Sequence, residues 1–371
     1  MGEILGLGMS HYPGMRSAPG GAPAMNMLRR PDVPDSWKDR NNWPPRMLAQ
    51  LGNDEGRTHA QQHRDDFINQ CRILRERLDA FNPDFVLVWG DDQYENFKED
   101  VIPAFCVFGY EDMDAYPYQV ERDRINANGP ISAFGRPADR PAPPNAWEEP
   151  VDTKFHVKGK REAAKYLARG LINDKIDVAY SYEPLHYDGF AHAFMNTVMF
   201  LDWDREGFPY PFVPMQVNCY GSRVILNRGG QYPVGKIEVP EGELDPPGPT
   251  PARCMEVGAA VVRVLKDSPW RVAVVASSSW SHAFLVPKHY FVYPDVEADL
   301  KLYDALVKGD FDHWRNIPND EVEPRGWQEV RNWWCLVGAM EELGHKSPDH
   351  HYFLESWLMN SSKCFAVYEP R

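Results

Sequence analysis

The sequence contains no apolar run near the roughly 20 residues that a helix needs to cross a bilayer. Basic residues are scarce relative to acidic ones, with 40 Lys and Arg against 54 Asp and Glu and a formal net charge of −14. Nucleic acids and anionic membranes bind clusters of Lys and Arg, so neither is an expected partner. The first residues also lack the basic and apolar regions of a secretory signal, and we expect a cytoplasmic protein.

Cysteine is sparse as well, with six residues and no Cys-x-x-Cys pair. A zinc ribbon or a disulfide framework needs paired spacing, so reduced thiols are expected. We find no usable internal repeat and none of the HxxEH or HxH spacings that identify a metal site by themselves. The composition is that of an ordinary globular protein, 43% hydrophobic and 25% charged, and we expect one domain over residues 1–371.

Short apolar runs alternate with amphipathic segments, a pattern typical of an α/β fold with helices on both faces of a mixed or parallel sheet. The predicted strands are 4–9, 85–89, 103–109, 177–181, 211–217, 272–276 and, at a sheet edge, 365–368. The predicted helices are 58–81, 159–172, 196–201, 251–265, a short one within 290–308, and 327–343. Long Pro- and Gly-rich loops, above all 14–56, are expected to wall the active site.

Polar side chains follow several of these strands at the point where each strand ends. The residues concerned are His11, the group 91–95, His186 with Asp188, Asn218, and Ser281 with His282. Ligand crevices of open α/β sheets lie at the carboxyl ends of the strands, so we expect these side chains to converge. With Glu329, near the start of the last predicted helix, they include the two imidazoles and one carboxylate that commonly bind non-heme iron(II). Taken alone, Glu329 is equally explained as a carboxylate that stabilises the positive end of that helix, and His11 as a structural histidine.

His282 follows the buried strand 272–276 and three serines. A histidine at that position can accept and donate a proton near neutral pH without a large pKa shift. A histidine that merely caps the loop is the structural alternative, and the sequence pattern does not decide between them.

These segments resemble, in order over most of the chain, the motifs of the class III (LigB-type) extradiol ring-cleavage dioxygenases. That family opens catechol-like rings with O₂ at a mononuclear iron(II). GMSHYPG is similar to the motif of the iron-binding histidine, SSSWSHAF to the acid/base element, and GWQEVRNWWCLVGAM to the helix with the iron carboxylate. The resemblance implies that His11 and Glu329 bind Fe²⁺ and that His282 is the catalytic acid and base. It also implies a LigB-like fold and a homodimer.

The chain departs from the family pattern at two positions. In WGDDQYENFKEDVIPAFCVFG, Gln93 stands where the N-D-H or P-D-H motif has the second iron histidine, and in SYEPLHYDGFAHAF, Asp188 replaces the histidine of D-H-G-F. A neutral amide is a weaker iron ligand than imidazole. We expect His59, at the amino end of the helix 58–81, to be the replacement, with His63, Glu95 and Gln93 itself as alternatives.

The resemblance also indicates the substrate side of the site. The expected substrate-binding residues, which orient or stack on a planar ring, are Tyr12, His186, Asp188, His192, Asn218, Trp280 and Ser281. His186 or His192 is expected to supply the imidazole that Asp188 lacks. Arg223, just after Asn218, is a candidate partner for a substrate carboxylate.

The expected function is therefore extradiol-type cleavage of a catechol-like ring by an iron(II)-dependent dioxygenase. Carboxylated rings of the gallate or protocatechuate type are among the expected substrates. Its partners would be a small aromatic substrate and O₂. Two alternatives stay open. One is an enzyme of the same fold with changed chemistry, such as cleavage of a hydroxypyridone or aminophenol ring, or metal-dependent hydrolase or lyase activity. The other is a metal-free binding protein.

Overall fold

The structure, a computed structural model, describes residues 2–17, 22–119, 144–187, 189–223 and 240–371. Asp188, one of the expected substrate residues, lies outside these ranges. Parts of the loops 110–151 and 225–249 lie outside them as well.

The strands of the described residues form one large sheet and one small one. In chain order they are β1 (Ile4–Met9), β2 (Phe85–Gly90), β3 (Phe105–Phe108), β4 (Met113–Ala115), β5 (Phe155–Val157), β6 (Ala179–Ser181), β7 (Phe212–Val217), β8 (Val272–Ser277), β9 (His350–Leu354) and β10 (Lys363–Tyr368). Eight of them share a sheet in the order β6-β3-β7-β2-β8-β1-β10-β9, while β4 and β5 pair separately. The sheet is mixed, since β10 runs antiparallel to β1 and β3 antiparallel to β7.

Four neighbouring strands at the centre of the sheet, β7, β2, β8 and β1, run parallel. Every residue in them is buried. A strand that is covered on both faces needs apolar side chains on both, which explains why these strands appear in the sequence as continuous apolar runs. Their carboxyl ends lie side by side at one edge of the sheet.

The helices are arranged in two layers around this sheet. The α-helices are, in chain order, α1 (Pro23–Met27), α2 (Asp35–Lys38), α3 (Pro45–Leu51), α4 (Arg57–Phe81), α5 (Arg161–Asn173), α6 (His192–Leu201), α7 (Pro251–Lys266), α8 (Val296–Lys308), α9 (Phe311–Arg315), α10 (Asn319–Val322) and α11 (Arg331–Glu342). The 3₁₀ helices are Pro13–Arg16, Arg40–Asn42, Glu241–Glu243, Ala283–Leu285, Pro287–His289, Glu323–Arg325 and Gln328–Val330.

One apolar core contains the inner faces of α5, α7 and α11, and the other contains those of α4 and α6. The predicted α/β architecture with helices on both faces of the sheet is therefore confirmed. A third, smaller cluster joins α1 and α3 to Val292 and Trp357, which places short helices within the loop predicted at 14–56. None of the described helices is long and apolar enough to cross a membrane. All six cysteines are buried and unpaired, as expected.

Two predicted elements differ in the structure. The strand predicted at the sheet edge is β10, but it lies inside the sheet because β9, whose side chains are only partly buried, pairs with its outer side. The helix predicted from residue 327 begins as an α-helix only at Arg331. Glu329 therefore lies in the 3₁₀ turn Gln328–Val330 that precedes the helix.

Two glycines allow α7 and α11 to pack backbone against backbone. A Cβ atom at Gly258 would overlap the carbonyl oxygen of Cys335, and one at Gly338 would overlap that of Met255. Because α11 follows directly on the turn that carries Glu329, this close contact fixes the height of Glu329 above the sheet.

The glycine contact predicts that a side chain at Gly258 destabilises the fold. We expect Gly258→Ala to lower the free energy of unfolding by about 1–3 kcal/mol, because the added methyl group forces the two helices apart. Gly242→Ala is the control, since a Cβ there would meet no atom within 4 Å. Urea unfolding of both variants measures the difference, and equal stabilities would contradict the packing described.

Candidate metal centre

Buried polar side chains from three parts of the chain meet at the carboxyl edge of the central strands. His11 follows β1, His282 lies in the loop after β8, and Glu329 comes from the turn before α11. The Oε2 atom of Glu329 lies 3.5 Å from Nε2 of His11 and 3.3 Å from Nε2 of His282. The three residues that the family motifs single out are thus in direct contact.

The ring of His11 is held by the backbone of the neighbouring strand. Its Nδ1 atom lies 2.9 Å from the carbonyl oxygen of Ser277, the last residue of β8. The same oxygen accepts a hydrogen bond from Nδ2 of Asn332, at 3.2 Å. A carbonyl group at Nδ1 is typical of metal-binding imidazoles, because it fixes the ring and favours the tautomer with its lone pair on Nε2. That atom also lies 3.5 Å from Oδ1 of Asp91.

The loop after β2 is folded around the side chain of Asp92. This carboxylate accepts hydrogen bonds from the backbone N–H groups of Glu95 and Asn96, both at 2.8 Å, and from the hydroxyl of Tyr220. The loop is thereby fixed with Asp91 on one side and Glu95 on the other, and both carboxylates are buried.

His192, the first residue of α6, is in contact with this loop. Its Nδ1 atom lies 2.9 Å from Oε2 of Glu95, and its backbone N–H donates to Oε1 at 3.1 Å. Its ring packs edge-on against that of His11, with the centroids 5.0 Å apart. One ligand atom each of His11, Asp91 and His192 lie within 4.8 Å of one another, a spacing that can hold a metal ion.

Burial shifts the pKa of the acidic groups in this site. It raises the pKa of Asp91 to about 6, and it raises the pKa of Glu329 well above the usual range, with further contributions from the carboxylates of Asp91 and Glu95. Oε2 of Glu329 is buried and accepts no hydrogen bond from the residues that the structure describes. Burying an oxygen without a hydrogen-bond partner costs about 1–3 kcal/mol of folding free energy. A cation attracted by the carboxylates of Asp91 and Glu329 would offset this cost, so the donor set fits a metal ion.

The pKa values of the imidazoles His11 and His282 are lowered rather than raised. Burial holds the pKa of His11 well below its usual range and, together with the nearby ammonium of Lys363, lowers the pKa of His282 to about 3. The sequence-based expectation of a nearly unshifted pKa for His282 is therefore wrong, because its ring is fully enclosed. Both rings are neutral at pH 7, the state in which imidazole binds metals and accepts protons.

His59 and His63, on the first turns of α4, lie beside Lys363. Their rings are 6.0 Å apart, and the charge of Lys363 contributes to lowering the pKa of both. The Nζ atom of Lys363 lies 4.3 Å from the ring centroid of Tyr12. Because β10 begins at Lys363 and runs antiparallel to β1, this cluster lies at the predicted sheet edge. The metal-ligand atoms closest to His11, however, come from other residues.

Two of the expected substrate residues lie in surroundings that the sequence pattern did not indicate. His186 is exposed, with Nε2 2.8 Å from Oδ2 of Asp100, so its ring is paired at the surface. Trp280 lies in the apolar core, where its ring packs edge-on against those of Trp314 and Trp333 at 5.8 and 5.5 Å. The substrate contacts expected for His186 and Trp280 stay predictions.

The other expected residues lie near the metal-ligand group. Tyr12 directly follows His11 and is buried, and Asn218 follows the last residue of β7. Ser281 precedes His282, and its hydroxyl donates to the carbonyl of Arg325. The substrate contacts of Tyr12, Asn218 and Ser281 stay predictions, as does metal binding by His59 and Gln93.

A small, partly open cleft lies beside His192. Its lining includes Arg16, Tyr116, Tyr187, Phe190 and Met195. The guanidinium group of Arg16 is held by Oδ1 of Asn196 at 3.1 Å and by the carbonyl of Pro117 at 3.0 Å. The cleft therefore combines aromatic rings with one fixed positive charge, and sequence reasoning did not identify Arg16.

Asp299 is a second residue that sequence reasoning missed. Its Oδ1 atom accepts hydrogen bonds from the indole N–H of Trp327 at 2.7 Å and from the backbone N–H of Ser281 at 3.2 Å. These bonds tie the loop of His282 to the segment that carries Glu329. The available signal was a carboxylate on the apolar stripe of α8, three residues before Leu302.

Residues 48–362 match the family model described as the catalytic LigB subunit of aromatic ring-opening dioxygenase. The chain is 25% identical over 262 residues to the 2,3-dihydroxyphenylpropionate/2,3-dihydroxicinnamic acid 1,2-dioxygenase 2 of Pseudomonas putida; this alignment covers 70% of the chain but only 60% of that protein. It is 25% identical over 331 residues to the 2,3-dihydroxyphenylpropionate/2,3-dihydroxicinnamic acid 1,2-dioxygenase of Photorhabdus laumondii, where the alignment covers 77% of the chain and 84% of the relative.

The hydrogen bonds of Asp299 predict that it stabilises the two segments that carry His282 and Glu329, although it does not contact either side chain in the hydrogen bonds described. We expect Asp299→Ala to lower the free energy of unfolding by about 1–3 kcal/mol, because two buried N–H groups lose their acceptor. Asp304→Ala, on an exposed part of the same helix, should change it by less than about 0.5 kcal/mol. Denaturant unfolding of the two variants tests this, and the prediction fails if they are equally stable.

Proposed function

Because the chain belongs to the LigB family of aromatic ring-opening dioxygenase subunits, we propose that it is an iron(II)-dependent extradiol-type dioxygenase. Its substrates would be O₂ and a catechol-like ring, and the working form would be a homodimer. The observation that supports the proposal best is the contact of Glu329 with both His11 and His282. Glu329 and His11 have the motif positions of the metal ligands, and His282 has that of the acid–base residue.

In this proposal His11 and Glu329 hold the ferrous ion. When bound, iron supplies the Lewis acidity and the electron path to O₂ that no side chain provides. Ser277 keeps Nε2 of His11 directed at the site, and the turn before α11 keeps Glu329 next to it. The enclosed position of both residues keeps bulk water away from the reacting groups.

His282 is the acid–base residue. Its Nε2 atom is 3.3 Å from Oε2 of Glu329, so a hydroxyl group of a substrate in contact with the metal would come within reach of the ring. The neutral imidazole accepts the proton of that hydroxyl on Nε2 and later returns it to an oxygen of the product. Hydrogen bonds of Ser281 with Asp299 and Asp295 hold the loop that carries His282.

The first test separates proton transfer from metal binding. We expect His282→Ala to retain iron after anaerobic loading but to lose about 10²–10⁴-fold in ring cleavage, because only the proton carrier is removed. Glu329→Gln should lose the iron itself. Metal analysis and O₂ consumption with catechols, gallates, aminophenols and hydroxypyridones measure both properties. Unimpaired turnover by His282→Ala would remove the assignment.

The same measurements distinguish the alternatives. Wild-type protein that takes up no iron would favour a metal-free binding protein. Iron uptake with O₂ consumption on aminophenols or hydroxypyridones alone would favour ring cleavage of a changed substrate class. Iron uptake without O₂ consumption on any ring would favour a metal-dependent hydrolase or lyase.

We further propose that the substrate carries a carboxylate that Arg16 binds in the cleft beside His192. Arg16 is 8% exposed, and its orientation is fixed by Asn196 and Pro117. The relatives from Pseudomonas putida and Photorhabdus laumondii are named for substrates that bear a carboxyl group. Arg223 is the alternative that the sequence analysis offers.

The variant Arg16→Met tests this proposal. Loss of a charge-assisted hydrogen bond should raise KM for 2,3-dihydroxyphenylpropionate about 10- to 100-fold. KM for unsubstituted catechol should change little, and Arg223→Met should leave both values near wild type. If Arg16→Met raises KM equally for both substrates, the arginine does not bind the carboxylate.

A further inference from the structure

We propose that His192 is the second imidazole ligand of the metal, in the role that the family motif assigns to the position of Gln93. This inference rests on the proposed function, since it concerns the ion that the function requires. It gives α6 a metal ligand, whereas the motif places that ligand in the loop after β2.

The first support for metal binding by His192 is its position. Its ring lies edge-on against the ring of His11, with 5.0 Å between centroids. One ligand atom each of His11, His192 and Asp91 lie within 4.8 Å of one another. This is the only such group of three or more in the described part of the chain. One turn further along α6, Nδ2 of Asn196 donates to the carbonyl oxygen of His11 at 2.9 Å. This bond fixes the distance between α6 and the His11 loop.

The hydrogen bonds of His192 match those of a metal ligand. Glu95 lies 2.9 Å from Nδ1 and also accepts the backbone N–H of the same residue at 3.1 Å. A carboxylate that accepts from Nδ1 stabilises the tautomer with its lone pair on Nε2, and it raises the basicity of the ring. His11 has the same arrangement with the carbonyl of Ser277. Both imidazoles are thus oriented through Nδ1 by an oxygen atom.

Glu95 acts as a positioning residue in this arrangement. Its backbone N–H donates to Asp92 at 2.8 Å, so the loop that Asp92 organises also sets the place of the Glu95 carboxylate. The loop after β2 would then still support the second imidazole, although Gln93 has replaced the histidine within it. The alternative is that His192 and Glu95 form a structural ion pair or that His192 contacts the substrate, as the sequence analysis expected.

Metal affinity tests the inference without using activity. Co²⁺ is titrated anaerobically into the purified full chain, and binding is measured by calorimetry and by the visible spectrum of the bound ion. We expect His192→Ala to weaken Co²⁺ binding at least 100-fold, whereas Gln93→Ala and His59→Ala should stay within about threefold of wild type. Glu95→Gln, which keeps the imidazole but weakens its orientation, should lose about 10- to 100-fold.

Further measurements distinguish loss of a ligand from loss of folding. Near-UV circular dichroism checks that each variant is folded. If His192→Ala does not fold, the Co²⁺ affinity of Glu95→Gln tests the same inference. His186→Ala, at the surface, should bind Co²⁺ like wild type. Wild-type affinity in both His192→Ala and Glu95→Gln, or loss of binding in Gln93→Ala or His59→Ala with His192→Ala unaffected, would overturn the inference.

The outcome is separable from that of the proposed function. If the wild-type protein cleaves rings while His192→Ala keeps its metal, only the inference fails. If Co²⁺ binding depends on His192 but no aromatic substrate consumes O₂ after iron loading, only the proposed function fails.

Discussion

The structure depends on one buried oxygen, Oε2 of Glu329, which lies between two neutral imidazoles and accepts no hydrogen bond from the residues described. Burial of a carboxylate in such surroundings is unfavourable by itself, and packing and hydrogen bonds of the surrounding fold hold it there. The glycine contact of α7 with α11 fixes the helix that follows the turn, and Asp299 ties the turn to the loop of His282. In the function proposed here, a cation between the ligand atoms would offset the remaining cost.

Much of the fold was predictable because its central strands are covered on both faces. Strands such as β1 and β8 are continuous apolar runs, and each ends at a polar segment, so the positions of His11 and His282 followed from the pattern. The family model over residues 48–362 confirms the family to which the motifs pointed. Edge strand β9 was not predicted, because partial exposure leaves it without a recognisable apolar pattern.

Contacts between helices and loops were harder to anticipate. The approach of His192 to Glu95 joins residues that are 97 positions apart, and it depends on how α6 packs on the sheet, which no local pattern encodes. The surroundings of His186 and Trp280 were also not predictable from the local sequence. Both stand in segments that resemble the family motifs, but an ion pair at the surface holds one and the apolar core encloses the other.

The first turn of α6 contacts both the cleft and the group of side chains around His11. His192 lines the cleft and contacts His11, while Met195, on the next turn, lines the cleft as well. Because both residues belong to one helix, a molecule that displaced Met195 would also displace His192 and its contact with His11. Crystals grown with a cleft-filling compound would therefore record, in the tilt of one short helix, how far occupancy of the cleft is mechanically coupled to the geometry around His11.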